Sequence, residues 1–183
     1  MIIVQEWKKK NYGEMVSLRE LITYAITYSD NSAHEMLYDY IGRDNLKNYG
    51  NSLGAKYIMT GGDHYGNQTV DDTMIYLKEA YNIIINNEEY GPYLKDIMMN
   101  TDNNRLNFEE INNVAHKYGS YGGFNHDIGI AFEDNPYYIS VLTISSDYKC
   151  VEVIKDIHKK INELHQLFHL EREERCYNII YGE

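Results

Sequence analysis

Apolar residues recur three and four positions apart through Leu18, Leu21, Ile22, Ala25 and Ile26, starting inside the tetrapeptide Ser17-Leu18-Arg19-Glu20. That S-x-x-E pattern is a capping box, so a helix is predicted from about Ser17 to Tyr28. The same period returns in Ala33, Met36, Leu37, Tyr40 and Ile41 and stops at Gly42, which predicts a second helix over Ser32 to Ile41 after a polar break at Ser29 to Asn31. A third, short helix is expected over Arg43 to Leu53, ended by Gly54. Glycines among polar residues predict an irregular loop from Gly61 to Asn67. Thr69, with Asp71 and Asp72 close behind, then starts a longer helix through Met74, Ile75, Leu77, Ala80, Tyr81 and Ile84, because acidic groups favour a helix N-terminus. Another short helix is expected around Pro92 to Met99.

Beyond Val114 the pattern changes to that of strands. Val114 to Ser120, Asp127 to Phe132 and Tyr137 to Ser145 are the candidates, and the connections Tyr121 to His126 and Glu133 to Pro136 are short enough for hairpins, so an antiparallel meander is predicted. Along Tyr148 to Leu170, the residues Val153, Ile154, Ile157, Ile161, Leu164 and Phe168 form an apolar stripe on a long terminal helix. A stripe must be covered, and the preceding sheet is the nearest surface. Glu171 to Arg175 is expected to be a solvated helix end. The fold class is therefore α/β in the broad sense, of the α+β kind. A mainly helical part (residues 1–112) precedes a three-stranded meander with a C-terminal helix packed on it (residues 113–183), all in a single domain.

With 43% hydrophobic and 25% charged residues, the 183-residue chain has the composition of one ordinary globular domain. A formal net charge of -11 repels phosphate backbones and anionic lipid, so nucleic acid is not an expected partner. No apolar run is long enough to span a bilayer, and Met1 to Tyr12 lack the layout of a secretory signal, so the chain as written offers no export route and reads as cytoplasmic, with its localisation left open. Cys150 and Cys176 have no CxxC spacing and suggest neither a zinc site nor a disulfide scaffold.

Chemistry is concentrated in two motifs. Ser29-Asp30-Asn31 lies between the first two helices, and Lys117-Tyr118-Gly119-Ser120 opens the first long strand. Either alone is ordinary, the first as a helix N-cap and the second as a lysine before a strand glycine. Together with their order and context, they resemble the S-D-N and K-T-G motifs of class A β-lactamases and penicillin-binding proteins, whose third signature is S-x-x-K. The stretches MVSLRELITYAITYSDNSAHEMLYDYIG and HKYGSYGGFNHDIGIAF carry the likeness, which extends over about Met1 to Leu170. It accounts for about two thirds of the family domain. The family's N-terminal strands and nucleophile helix have no counterpart, so the expectation is an N-terminally truncated β-lactamase-like domain.

The resemblance implies a role for each residue in acyl transfer. Ser29 would lie on the proton path to the leaving nitrogen, and Asn31 would hold the substrate's side-chain amide. Asp30 would be buried and tie the turn together. Lys117 would supply positive potential opposite Ser29 and attract a substrate carboxylate. Gly119 would let substrate approach the strand edge, and the Ser120 amide would help form an oxyanion hole. Tyr118 replaces the hydroxyl residue that binds the carboxylate and would narrow or remodel the pocket, a loss that Ser120 would partly make good. The loop from Gly61 to Asp72 offers Asp63, Asp71 and Asp72 but no glutamate to activate a deacylating water, so slow acylation is expected in place of efficient hydrolysis.

The nucleophile motif is not found where the family places it. The only S-x-x-K is Ser146-Asp147-Tyr148-Lys149, after the last strand, where a helix N-cap is the better reading; Met1 to Glu14 contain no serine. His158, His165 and His169 lie near one helical face without a specified carboxylate or cysteine partner, and are expected to form a polar flank, not a metal site. His34-Glu35 lacks the second histidine of a zinc-protease motif. No cofactor is implied. The expected ligand is a β-lactam or peptidoglycan-like amide, with negligible turnover because binding and electrostatic terms alone remain. The rival expectation is a non-catalytic interaction module. In that reading an unpaired sheet edge and an uncovered helix face lead to a homo-oligomer or to completion by another polypeptide.

Overall fold

The computed structural model describes residues 2–3, 15–57, 66–145 and 149–181. Most of the glycine-rich loop, including Asp63, and Ser146 to Tyr148 of the S-x-x-K lie outside the described residues.

Strand β1 (Ile2–Ile3) pairs antiparallel with β2 (Met15–Val16), a two-stranded piece too short to show any alternation in the sequence. Helix α1 (Leu18–Thr27) starts with the expected capping box: Ser17 Oγ accepts from the Glu20 amide at 3.1 Å while Glu20 Oε2 accepts from the Ser17 amide at 3.0 Å. Helix α2 (Asn31–Ile41) is capped by Asp30, whose carboxylate accepts from the Ala33 amide at 2.9 Å. Asp30 is half-buried, not buried as expected, at the start of the helix that it caps. Helix α3 (Arg43–Leu53) closes on left-handed Gly54, and α4 (Val70–Asn86) opens with a second reciprocal box between Thr69 and the buried Asp72. The Lys56 amide also donates to Asp72, at 2.7 Å, and this bond leads the interactions that hold its carboxyl below the usual range. Helix α5 (Gly91–Met99) carries proline near its start.

The sheet runs β3 (Val114–Tyr121), β4 (Phe124–Ala131), β5 (Tyr137–Ile144), each antiparallel to the next. Gly122 and Gly123, with φ of 55° and 91°, form a two-residue turn of the kind hairpins favour, so β4 begins at Phe124, earlier than the predicted Asp127. Alternation sorts the side chains into layers. Ala115 and Ile130 face α4 and α5, joining Leu77, Ile84 and Met98. Val114, Ala131, Tyr137, Ile139 and Val141 face the other way, toward helix α6 (Cys150–Tyr181) and the loop residue Leu106. Gly129 pairs with His116, and a side chain there would press on Val114 Cγ1 at 2.9 Å and His116 Cβ at 3.0 Å.

Helix α6 departs from expectation in three ways. It continues past Leu170 to Tyr181, since Glu171 to Arg175 are good helix formers and Glu171 pairs with Arg175 one turn on. Its apolar stripe splits: Ile154 is buried and Ile161 packs on the core, whereas Val153 (50% exposed), Ile157 (38%), Leu164 (56%) and Phe168 (69%) are exposed. Finally, His158 is fully buried and no polar flank; its Nδ1 contacts the Leu106 carbonyl at 2.7 Å and its Nε2 the Tyr137 hydroxyl at 2.8 Å. Both cysteines are unpaired, with Cys150 buried and Cys176 exposed.

Candidate active site at Ser29 and Lys117

The turn between α1 and α2 has no room for a regular residue. The Asp30 amide folds back to the Tyr24 carbonyl at 3.1 Å, which forces Ser29 to φ 51°, a left-handed conformation usually given to glycine. Ser29 is half-buried there, and Asn31, the first residue of α2, is exposed.

Lys117 comes to this turn from β3. Its Nζ donates to Ser29 Oγ at 2.5 Å and to the Tyr118 carbonyl at 3.0 Å. Two short bonds from one connecting segment bring the elements together. The Asp102 amide donates to the Thr27 carbonyl at 2.9 Å, at the end of α1, while the Thr101 hydroxyl donates to the His116 carbonyl at 3.0 Å, on β3. Thr27 Oγ1 donates to the Ile97 carbonyl at 3.1 Å and anchors the same helix end on α5.

The ladder determines which groups β3 offers at its outer edge. The Phe132 amide bonds to the Asn113 carbonyl, so odd-numbered residues from 113 turn their peptide groups toward β4 and even-numbered ones turn theirs outward. His116 and Tyr118 use their outward carbonyls on Thr101 and Lys117. The Ser120 amide is next in this row. Its hydroxyl is engaged elsewhere, donating to Asn125 Oδ1 at 2.8 Å, and is not presented in place of the hydroxyl that Tyr118 displaces. A Cβ placed on Gly119 would meet nothing within 4 Å, so the strand is open at that point.

A residue that carried no sequence signal completes the surroundings. Arg105 is buried in a loop of polar residues, where neither periodicity nor motif marked it. Its amide donates to Asp127 Oδ2 at 3.1 Å and its guanidinium to Asn125 Oδ1 at 3.1 Å. The Tyr118 ring lies beside both cations, 5.1 Å from the Arg105 guanidinium carbon and 4.3 Å from Lys117 Nζ. Fully buried Asp127 faces equally buried His116, with Oδ1 at 3.0 Å from Nδ1.

Burial is the largest influence on Lys117 and lowers its pKa from 10.5 to about 8; Arg105 pushes the same way, and Asp127 and Asp102 oppose it. The group is a half-buried lysine that holds its proton less tightly than a free one and donates to a hydroxyl. Of the residues expected at the site, Ser29 and Lys117 are in direct contact, Tyr118, Gly119 and Ser120 follow along the same edge, and Asp30 and Asn31 form the start of α2.

The beta-lactamase enzyme family is matched over residues 3–164. No curated protein is matched. Among solved structures, the chain is similar to the TLA-3 extended-spectrum beta-lactamase, with 26% identity and a TM-score of 0.69 over 82% of this chain and 65% of that one. It is similar in fold to the beta-lactamase from Sphaerobacter thermophilus DSM 20745, with 20% identity and a TM-score of 0.73 over 86% and 66%. It also shares its fold with a PBP-A mutant solved as an acyl-enzyme complex with penicillin-G, with 19% identity and a TM-score of 0.73 over 86% and 64%. The chain thus spans 64–66% of the length of these structures.

Proposed function

The chain belongs to the beta-lactamase enzyme family, and we propose that it forms the substrate-holding part of a penicillin-recognising serine hydrolase site, with very weak turnover on its own. The observation that carries this reading is the contact between Lys117 Nζ and Ser29 Oγ, which joins the two motifs across 88 residues of sequence. Lys117 and the neighbouring Arg105 attract a ligand carboxylate, Asn31 holds its amide, and the open edge of β3 at Gly119 receives its backbone. The Ser120 amide donates to the scissile carbonyl, and Ser29 relays a proton toward the leaving nitrogen. A β-lactam fits this reading because a PBP-A relative has been captured with penicillin-G. The sequence in hand holds no S-x-x-K ahead of Ser29, and for these residues taken by themselves the proposal is binding with little hydrolysis.

The test is titration of the chain with benzylpenicillin by calorimetry, alongside a chromogenic cephalosporin assay. Saturable binding that Lys117→Met abolishes, with no multiple-turnover hydrolysis, is expected. Absence of binding would remove the recognition role, and rapid cephalosporin turnover would remove the weak-turnover part.

A second reading has its own observation. β5 is the last strand of the three-stranded sheet, and Val153, Leu164 and Phe168 leave an apolar line on α6 exposed. Such a surface suits a non-catalytic module that associates with a second copy or is completed by another polypeptide. Light scattering after size exclusion separates the readings: a strictly monomeric, fully folded chain counts against association. No helix among the described residues is long and apolar enough to cross a membrane.

A further inference from the structure

We infer that the outer edge of β5 and the adjoining flank of α6 form one docking surface, and that its occupant is a second copy of this chain paired antiparallel along β5 about a two-fold axis. The inference rests on the second reading above and deepens it by naming the partner, the strand and the register.

Two open features lie side by side. The first is the strand edge. Asp127, Gly129 and Ala131 bond toward β5, opposite Val141, Ile139 and Tyr137, so Tyr138, Ser140, Leu142 and Ile144 turn their N–H and C=O groups away from the sheet. No backbone group of another described segment bonds to these four residues. The strand reads Tyr-Tyr-Ile-Ser-Val-Leu-Thr-Ile in unbroken register, without the charge, proline or bulge that keeps a free edge from pairing.

The second feature is the helix flank. At 3.6 residues per turn, Val153, Ile157, Leu164 and Phe168 fall within about 60° of one another around α6, and all four are exposed. On the opposite flank Lys159 pairs with Glu110, in the loop that leads into β3. The apolar flank therefore overhangs the β5 side of the sheet, next to the unpaired edge.

Three arguments name a second copy as the occupant. An antiparallel edge is its own complement: with Val141 on the axis, Tyr138 pairs with Ile144 of the second copy and Ser140 with Leu142, so every outward peptide group is used. The spacing also agrees. A two-fold axis normal to the sheet keeps both α6 helices on one face, and each lies over β4 and β5. That is about one strand spacing, 4.8 Å, from the axis, so the helices come about 10 Å apart with their apolar flanks facing, a normal packing distance. Finally, the area and charge are sufficient. Edge and flank together offer on the order of 800 Å² per copy, as much as a stable interface of standard size contributes. The net charge of -11 does not gather here, since β5 carries no charged side chain and Lys160, Glu171 and Arg175 beside the flank are of mixed sign.

The test uses the full chain in sedimentation velocity and light scattering over a range of concentrations, with hydrogen exchange read at single amides. The expected result is a species of twice 21.5 kDa that dissociates on dilution. The Tyr138, Ser140, Leu142 and Ile144 amides are protected in the dimer and lose that protection in the monomer. Ile144→Lys places a charge on the edge and Phe168→Asp one on the flank, at side chains 85% and 69% exposed, so neither burdens the fold. Each is expected to weaken the dimer by about 100-fold or more, with unchanged circular dichroism. Tyr121→Lys, on the 83% exposed residue at the end of β3, leaves the mass unchanged. A dimer that survives both Ile144→Lys and Phe168→Asp, or one whose four β5 amides exchange freely, would overturn this surface while leaving association by another face standing. A folded chain that stays monomeric at every concentration overturns both, and loss of the dimer in Tyr121→Lys assigns it to the wrong edge.

Discussion

The amide of Asp102 donates to the carbonyl of Thr27 at 2.9 Å, two residues before Ser29, and this bond ties the helical turn to the segment that leads into β3. Its neighbour Thr101 performs the matching task on the strand side, at the His116 carbonyl. Two adjacent residues outside both motifs therefore bracket Ser29 and Lys117, and one of them, Asp102, also favours the proton on Lys117.

Thr101→Val tests this bracket. The substitution keeps the shape but removes the donor to the His116 and Ile97 carbonyls. A loss of about 1–2 kcal/mol in urea unfolding is expected, together with weaker benzylpenicillin binding although Thr101 is absent from the proposed contacts. Unchanged binding in a destabilised variant would show that the bracket does not position Lys117.

At Ser29 the backbone and the hydroxyl can be separated. Ser29→Gly and Ser29→Ala both remove the oxygen, but only glycine is at ease at φ 51°. The glycine variant is expected to be more stable than the alanine variant by about 1 kcal/mol. Thermal melts of the pair measure the cost of the left-handed serine directly. Equal melting temperatures would mean that the turn relaxes without cost.

Burying Lys117 has a consequence for pH. Its pKa falls from 10.5 to about 8, so between those values the unfolded chain binds a proton that the folded chain lacks. Stability contributed by this group therefore rises with pH across that window, and the cost of the buried charge is greatest below it. Lys117→Met is expected to stabilise the fold near pH 7 by on the order of 1 kcal/mol, an advantage that disappears above about pH 10.5. Urea midpoints at several pH values test the sign; a methionine variant less stable near neutrality would contradict it.

Gly129 sits where β3 and β4 crowd together. An added methyl group would press on Val114 Cγ1, the Ala115 carbonyl and His116 Cβ, all at 2.9–3.0 Å, and two of these are backbone or backbone-attached. Gly129→Ala is expected to cost about 1–3 kcal/mol and to disturb the His116–Asp127 pair. Gly119→Ala meets nothing within 4 Å and serves as the stability control.

Much of this architecture is legible in the order of residues. Ser17 with Glu20, Asp30 with Ala33 and Thr69 with Asp72 are all three positions apart, so the helix starts could be read from adjacent letters. Gly122-Gly123 specifies a tight turn through its own dihedral freedom, although the polar residues Asn125 and His126 concealed the start of β4. The S-D-N and lysine motifs were recognisable as motifs. Arg105 was not, because a single cation in an aperiodic polar loop carries no sign of the sheet edge to which it will be brought.

By itself, then, the sequence determined the helices and most of their ends, the three-stranded meander and the family likeness. These depend on bonds and periodicities only a few residues long. Only the tertiary structure decided that Lys117 reaches Ser29, that Thr101 and Asp102 bracket them, and that most of the α6 stripe faces outward. Those outcomes depend on distances between segments scores of residues apart, which no short-range pattern encodes.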